Sequence, residues 1–143
     1  MLRTKEKIDK FIKSNNLGLI SEKHGNYIFK EKSTFVYALI HEDSAGEWVM
    51  FYSLVVKKPK LKKKLLLELL KLNSSIPFGA FGLEGDYIVF KHCILGGDHM
   101  DEKEFLQSLI SVSKISSQYD DEIIKNYGGK TAMDIVNEEL FKE

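Results

Sequence analysis

Cysteine is almost missing from this chain: Cys93 stands alone among 143 residues, which excludes an intramolecular disulfide and any zinc cage built on thiolates. Such usage suits a reducing compartment, and a cytoplasmic location is the expectation. Net charge is missing too. Lys and Arg, 21 in all, balance 21 Asp and Glu, so no overall positive field concentrates the chain on nucleic acid or an anionic membrane. Contact of that kind needs a local patch. Nowhere does an uncharged apolar run approach the ~18 residues of a membrane span, and the first residues, Met1-Leu2-Arg3-Thr4-Lys5-Glu6, lack the apolar stretch of a signal peptide.

The patterns that announce chemistry are also wanting. His24, His41, His92 and His99 are scattered, with no pair four apart on a helix to set two imidazoles on one metal. His92 and Cys93 are neighbours in a strand, so their side chains point to opposite faces and Cys93 reads as a small packed hydrophobe. Gly79, Gly82 and Gly85 recur by threes, and Gly96-Gly97 stands between a strand and a helix. Neither matches the Gly-x-Gly-x-x-Gly fingerprint or the Walker loop, and no parallel βαβ pattern surrounds them. A bent strand and a connecting turn account for both. No Gly-x-Ser-x-Gly elbow occurs. A small-ligand enzyme site would have to be assembled from His99, Asp98 and the Gly96-Gly97 turn; against it, Asp101 is explained as a helix cap, since a helix N-terminus attracts acidic residues on electrostatic grounds alone. No catalytic residue, metal ligand or cofactor is expected.

What is present is an ordinary globular composition, 43% apolar and 29% charged. A chain of this length can withdraw roughly two thirds of its unfolded surface from water, so a single α+β domain over residues 1–143 is expected. Ile8, Phe11 and Ile12 make a narrow helical stripe over residues 4–15, with Lys5, Lys7, Lys10 and Lys13 on the other side. Three β-rich segments follow, at 19–29 with a turn near His24-Gly25-Asn26, at 34–41 and at 47–56. The turn at 42–46 makes an antiparallel meander of the last two.

The strand at 47–56 carries most information. Trp48, Met50, Tyr52, Leu54 and Val56 fall on one face and Val49, Phe51 and Val55 on the other, broken only by Ser53. A half-buried antiparallel strand alternates with polar residues, so something must cover each side. Helices serve for one; a second subunit, a client or burial within the protomer serves for the other.

Pro59 ends that strand, and a helix is expected over 60–72, where Leu61, Leu65, Leu66, Leu69, Leu70 and Leu72 span nearly half the wheel and Leu67 falls outside it. So broad a face implies burial on more than one side. Lys57, Lys58, Lys60, Lys62, Lys63 and Lys64 crowd the start of this helix, where the macrodipole is already positive. Selection for an anionic partner, a nucleic acid included, is one account of Lys60, Lys62, Lys63 and Lys64. A solvated end beside an apolar helix is the plainer one, and the lack of Arg or aromatic interleaving favours it over nucleic acid. A hairpin pairs 76–83 with 87–95 across Glu84-Gly85-Asp86. The longest helix starts at the cap Asp101 with Glu104 three residues on, and Phe105, Leu109, Val112, Ser116, Ile123 and Tyr127 line one face. Gly128-Gly129 stops it, and Thr131 with Asp134 opens a short helix carrying Ile135, Val136, Leu140 and Phe141. The order α-β-β-β-α-β-β-α-α predicts helices against one antiparallel sheet.

The leucine-rich helix ending in Leu72-Asn73, the run Ile76-Pro77-Phe78-Gly79-Ala80-Phe81-Gly82-Leu83, the acidic-Gly turn, Tyr87-Ile88-Val89-Phe90 and the capped helix from Asp101 together resemble the YbjN and type III secretion chaperone-like group. The likeness covers roughly residues 35–123. It implies a type III secretion chaperone-like α+β fold that dimerises and presents apolar surface to protein clients, without enzymatic activity. The expectation is thus a non-catalytic, chaperone- or adaptor-like homodimer. Its client or dimer surface is expected at Trp48, Met50, Tyr52, Phe78 and Phe81, since aromatic residues and Met give much contact area per ordered side chain.

Overall fold

The N-terminal stripe forms α1 (Leu2–Ser14) in the computed structural model, which describes residues 2–134. Ile8 and Phe11 are buried and Lys10 and Lys13 exposed. The segment read as one β-rich stretch at 19–29 is two strands, β1 (Leu19–Lys23) and β2 (Asn26–Glu31), because His24 and Gly25 both take positive φ, the geometry of a two-residue hairpin. Next come β3 (Thr34–Asp43) and β4 (Gly46–Lys57). In the turn between them the Asp43 carboxylate accepts from the amides of Ala45 and Gly46 at 2.8 and 3.2 Å.

The helix after Pro59, α2 (Lys63–Ser75), starts three residues later than the leucine pattern predicts. Lys58 takes positive φ, and the backbone amides of Lys58 and Lys60 donate to the carbonyls of Asp86 and Tyr127, so the lysine run is held extended. Only Leu65 and Leu69 of α2 are buried. The expected burial on more than one side does not occur within the protomer: Leu67 and Leu70 are 45% and 63% exposed.

After α2, residues 76–79 form a loop and the strand expected from 76 begins only at β5 (Ala80–Glu84), followed by β6 (Tyr87–Leu95). Gly79 makes this bend with φ +81°, and a Cβ there would stand 2.6 Å from the Lys91 carbonyl oxygen, so no other residue fits without distortion. A single 3₁₀ turn, Gly97–His99, leads to α3 (Glu102–Tyr127). As expected, Asp101 caps it, accepting from the Glu104 amide at 2.7 Å. Thr131 and Asp134 hydrogen-bond reciprocally at the start of the next turn. Ile135, Val136, Leu140 and Phe141, expected to continue it, lie outside the described residues.

All strands pair antiparallel in the order β1-β2-β3-β4-β6-β5. The helices pack on one face, which is the apolar core. Phe105 of α3 sits at its centre, with its ring 5.7, 6.4 and 5.3 Å from those of Phe11, Phe29 and Phe51. Each of the residues predicted for the inner face of this helix is buried. Ser53, the polar break in the β4 pattern, is buried on this side and shares a 2.9 Å hydrogen bond with Ser116.

One carboxyl also lies inside. Asp120 of α3 is 3% exposed; burial pushes its pKa up, only partly opposed by hydrogen bonds from the Asp121 amide and the Ser33 hydroxyl. A raised folded-state value means the buried carboxyl costs nothing when protonated. Stability is therefore greatest below the unfolded-chain pKa of ~3.9 and falls as pH rises through the folded value. Asp120→Asn should unfold at higher urea than the parent at pH 7, and the gap should close as pH falls below about 4. A gap that widens with acidification would contradict this account.

Candidate functional site

Among the described residues, no helix packs on the sheet's other face. Along β4 it presents Trp48, Met50, Tyr52 and Leu54, all half-buried, while Val49, Phe51 and Val55 face the core. Cross-strand register builds rows around them. His41 of β3 and Leu95 of β6 flank Trp48; Leu39 and Cys93 flank Met50; Tyr37 and Lys91 flank Tyr52. A register shift between Leu54 and Val56 turns Val56 inward, so Val56 leaves the face on which strict alternation would put it.

Ring contacts stiffen the array. His41 stacks on Trp48 with centroids 4.3 Å apart, and Tyr37 meets Tyr52 edge-on at 5.8 Å. The Lys91 ammonium lies 5.6 Å from the Tyr52 ring centroid and is paired with Glu84, whose carboxyl it holds below the ordinary glutamate range. Tyr52 donates to that carboxylate at 3.3 Å; burial first, and the negative charge of Glu84 second, push its pKa up to about 12. The phenol stays neutral and the polar end of the face is fixed. Leu95, at 62% exposure, and Cys93 stand free at the rim. Burial raises the Cys93 thiol, partly offset by Lys91, so it is not poised as a nucleophile.

Three of the five expected surface residues, Trp48, Met50 and Tyr52, are thus neighbours on one open face. Phe78 and Phe81 are on the other side of the sheet. Phe81 is only 7% exposed, wedged edge-on between Phe90 and Tyr119, so it is a core residue. Phe78, 41% exposed, meets His92 edge-on, and His92 lies across from the core residue Phe51. Aromatic character alone pointed to this pair as surface anchors; the bend at Gly79 and the pairing of Phe81 with Phe90 put both rings on the core side. Tyr37, Leu39 and Leu95 belong to the open face and went unnoticed; their signal was the same alternation in the two neighbouring strands.

The two ends of the sheet differ. β1 is exposed nearly throughout. At β5 the Asn73 side chain accepts from the Phe81 amide at 2.8 Å and donates to the Phe81 carbonyl at 3.1 Å, occupying the outward backbone groups as a further strand would.

Around Gly96, Gly97, Asp98, His99 and Asp101 the acids have structural partners: Asp98 pairs with Arg3 at 3.1 Å and Asp101 caps α3, while Thr4 accepts from the Gly97 amide at 2.8 Å. Among the described residues no group of three His, Cys, Asp or Glu side chains is placed to hold a metal ion. No helix among them is long and apolar enough to cross a membrane. Lys60, Lys62, Lys63 and Lys64 are exposed together in the lead-in and first turn of α2.

A six-stranded antiparallel sheet with, among the described residues, helices on one face only defines an α+β protein. The model of the family described as T3SS (YopN, CesT) and YbjN peptide-binding chaperone 1 matches residues 5–135, and the chain belongs to this family. Among solved structures it is similar to a chain of the HopA1–SchA chaperone–effector complex (TM-score 0.64, 14% identity, covering 84% of this chain and 94% of that one). It is similar also to a chain of the ExsC–ExsE complex (TM-score 0.64, 15% identity, 85% and 96% covered) and to YbjN from E. coli (TM-score 0.60, 12% identity, 85% and 95% covered). At these identities the structural likeness shows the fold. No curated protein matches.

Proposed function

We propose that this chain is a non-catalytic client-binding protein of the cytoplasm, chaperone- or adaptor-like, that takes an extended apolar segment of its client on the open face of the sheet. The observation that carries the reading is the array around Trp48, Met50 and Tyr52, which no helix among the described residues covers although both faces of β4 are apolar. Membership of a peptide-binding family supports it. Aromatic and Met side chains give large contact area at small entropic cost, and their mutual ring contacts leave them largely ordered before a client arrives.

The chain reports on this itself, because Trp48 is its only tryptophan. Saturation with a client peptide should shift the emission to the blue as water leaves the indole. An unchanged spectrum with the peptide demonstrably bound would place the site elsewhere.

The protein acts as a homodimer through the outer side of α2, where Leu67 and Leu70 remain exposed. Leucines at this spacing form one stripe, and two copies can bury it against each other. Sedimentation at micromolar concentration should give twice the monomer mass, and Leu70→Glu should halve it. A wild-type chain that sediments as a monomer removes the dimer, and a mass altered by Trp48→Ala but not by Leu70→Glu moves the contact to the sheet.

A further inference from the structure

The open face does not end in solvent. It runs along β4 from Trp48 to Lys57, about 30 Å at the rise of an antiparallel strand, and changes from apolar to cationic at its last residue. Lys57 pairs across the sheet with Tyr87 and holds its ammonium 5.4 Å from that ring centroid. The chain then enters the segment bearing Lys58, Lys60, Lys62, Lys63 and Lys64, all exposed. None of these five side chains meets a carboxylate at ion-pair distance among the described residues. The first turn of α2 contains no acidic residue, and Lys62 at its N-cap gives no side-chain cap. Positive charges therefore crowd the positive end of a helix, a self-repulsion that no ion pair among the described residues offsets. The backbone ties of Lys58 to Asp86, in the turn between β5 and β6, and of Lys60 to Tyr127, at the end of α3, fix the path of the segment as it leaves β4.

We infer that the segment captured on the open face carries a run of acidic residues adjoining its apolar ones, and that this run seats on the lysines at the end of β4. The inference rests on the open-face reading and gives it a sequence requirement. Ammonium groups on flexible stems suit carboxylates spread along a chain, whereas the bidentate geometry typical of specific phosphate and base-edge readout is the property of arginine, which the cluster lacks. No aromatic residue alternates with these lysines to stack on bases. The apolar rows lie along β4, and the lysine segment follows its last residue, Lys57, directly in the chain.

The test uses the full chain and two fluorescein-labelled peptides that share an alternating Leu-Thr-Val-Thr segment and end in a run of glutamates or of glutamines. Side-chain contacts do not fix the direction of the peptide, so one order serves. Fluorescence anisotropy at about 50 mM salt should give the glutamate peptide roughly tenfold tighter binding, and the advantage should vanish near 0.5 M salt, where the screening length falls to a few ångströms. The variant K60Q/K62Q/K63Q/K64Q should bind the glutamate peptide only as tightly as the parent binds the glutamine one. Equal affinity of the parent for both peptides overturns the inference and leaves the open-face reading standing, while failure of both peptides to bind removes the two together. A glutamate preference that survives the quadruple substitution refutes the assignment to these lysines. Tighter binding of phosphatidylserine vesicles or a single-stranded oligonucleotide through the same lysines would give the cluster to another class of partner, and the inference falls.

Discussion

Phe105→Ala is expected to lower unfolding stability by about 3–5 kcal/mol, the range for removing a buried ring from a core that closes only partly around the hole. Phe105 is fully buried and its ring meets those of Phe11, Phe29 and Phe51, on α1, β2 and β4. Among the described residues, no other ring of the core joins the N-terminal helix, the meander and the long helix at one point. Against a typical total of roughly 5–15 kcal/mol, the loss leaves a marginal protein. Urea unfolding followed by far-ultraviolet circular dichroism measures it. Phe105→Leu, which keeps most of the volume, should lose far less. Equal losses for the two variants would show that the ring contacts do not organise this core.

Met50→Glu has the opposite profile, with a large effect on client binding and a small one on the fold. Met50 is central on the open face, between Leu39 and Cys93, and its side chain points away from the helices. At this half-buried position a carboxylate can reach water in the free protomer, and stability should change by about 1 kcal/mol. In the complex the same carboxylate would be desolvated beneath an apolar segment without a partner. The cost of at least ~2 kcal/mol typical of an interface centre corresponds to a loss of about 30-fold or more in affinity. Titration of the labelled glutamine peptide into Met50→Glu measures it, and retention of parental affinity would remove the open face as the site. The glutamine peptide avoids any direct repulsion between the new carboxylate and an acidic ligand.

How far the sequence could be read varied with the range of the interaction involved. The capped start of α3 was legible because Asp101 and Glu104 meet within one turn, and so was its buried stripe from Phe105 to Tyr127. The hairpin at His24 and Gly25 was visible as a turn but was folded into a single segment. The start of α2 was not legible: the leucine period continues through Leu61, and what stops the helix is backbone bonding to Asp86 and Tyr127, which are distant in sequence. Asn73 filling the outer edge of β5 has no local signature at all. Phe78 and Phe81 looked like surface anchors through their aromatic character, but Gly79 rotates the chain between them and Phe81 enters the core.

Local pattern by itself determined the element types, the antiparallel class, the helix caps and the fact that both sides of β4 are apolar, since periodicity and capping act within a few residues. Only the tertiary structure decided which side the helices cover, because that depends on where α1 and α3 land and on strand register with β3 and β6, neither encoded in β4 itself. Side-chain alternation makes two faces equivalent until packing chooses between them. That choice placed Phe51 inside and left Trp48, Met50 and Tyr52 outside.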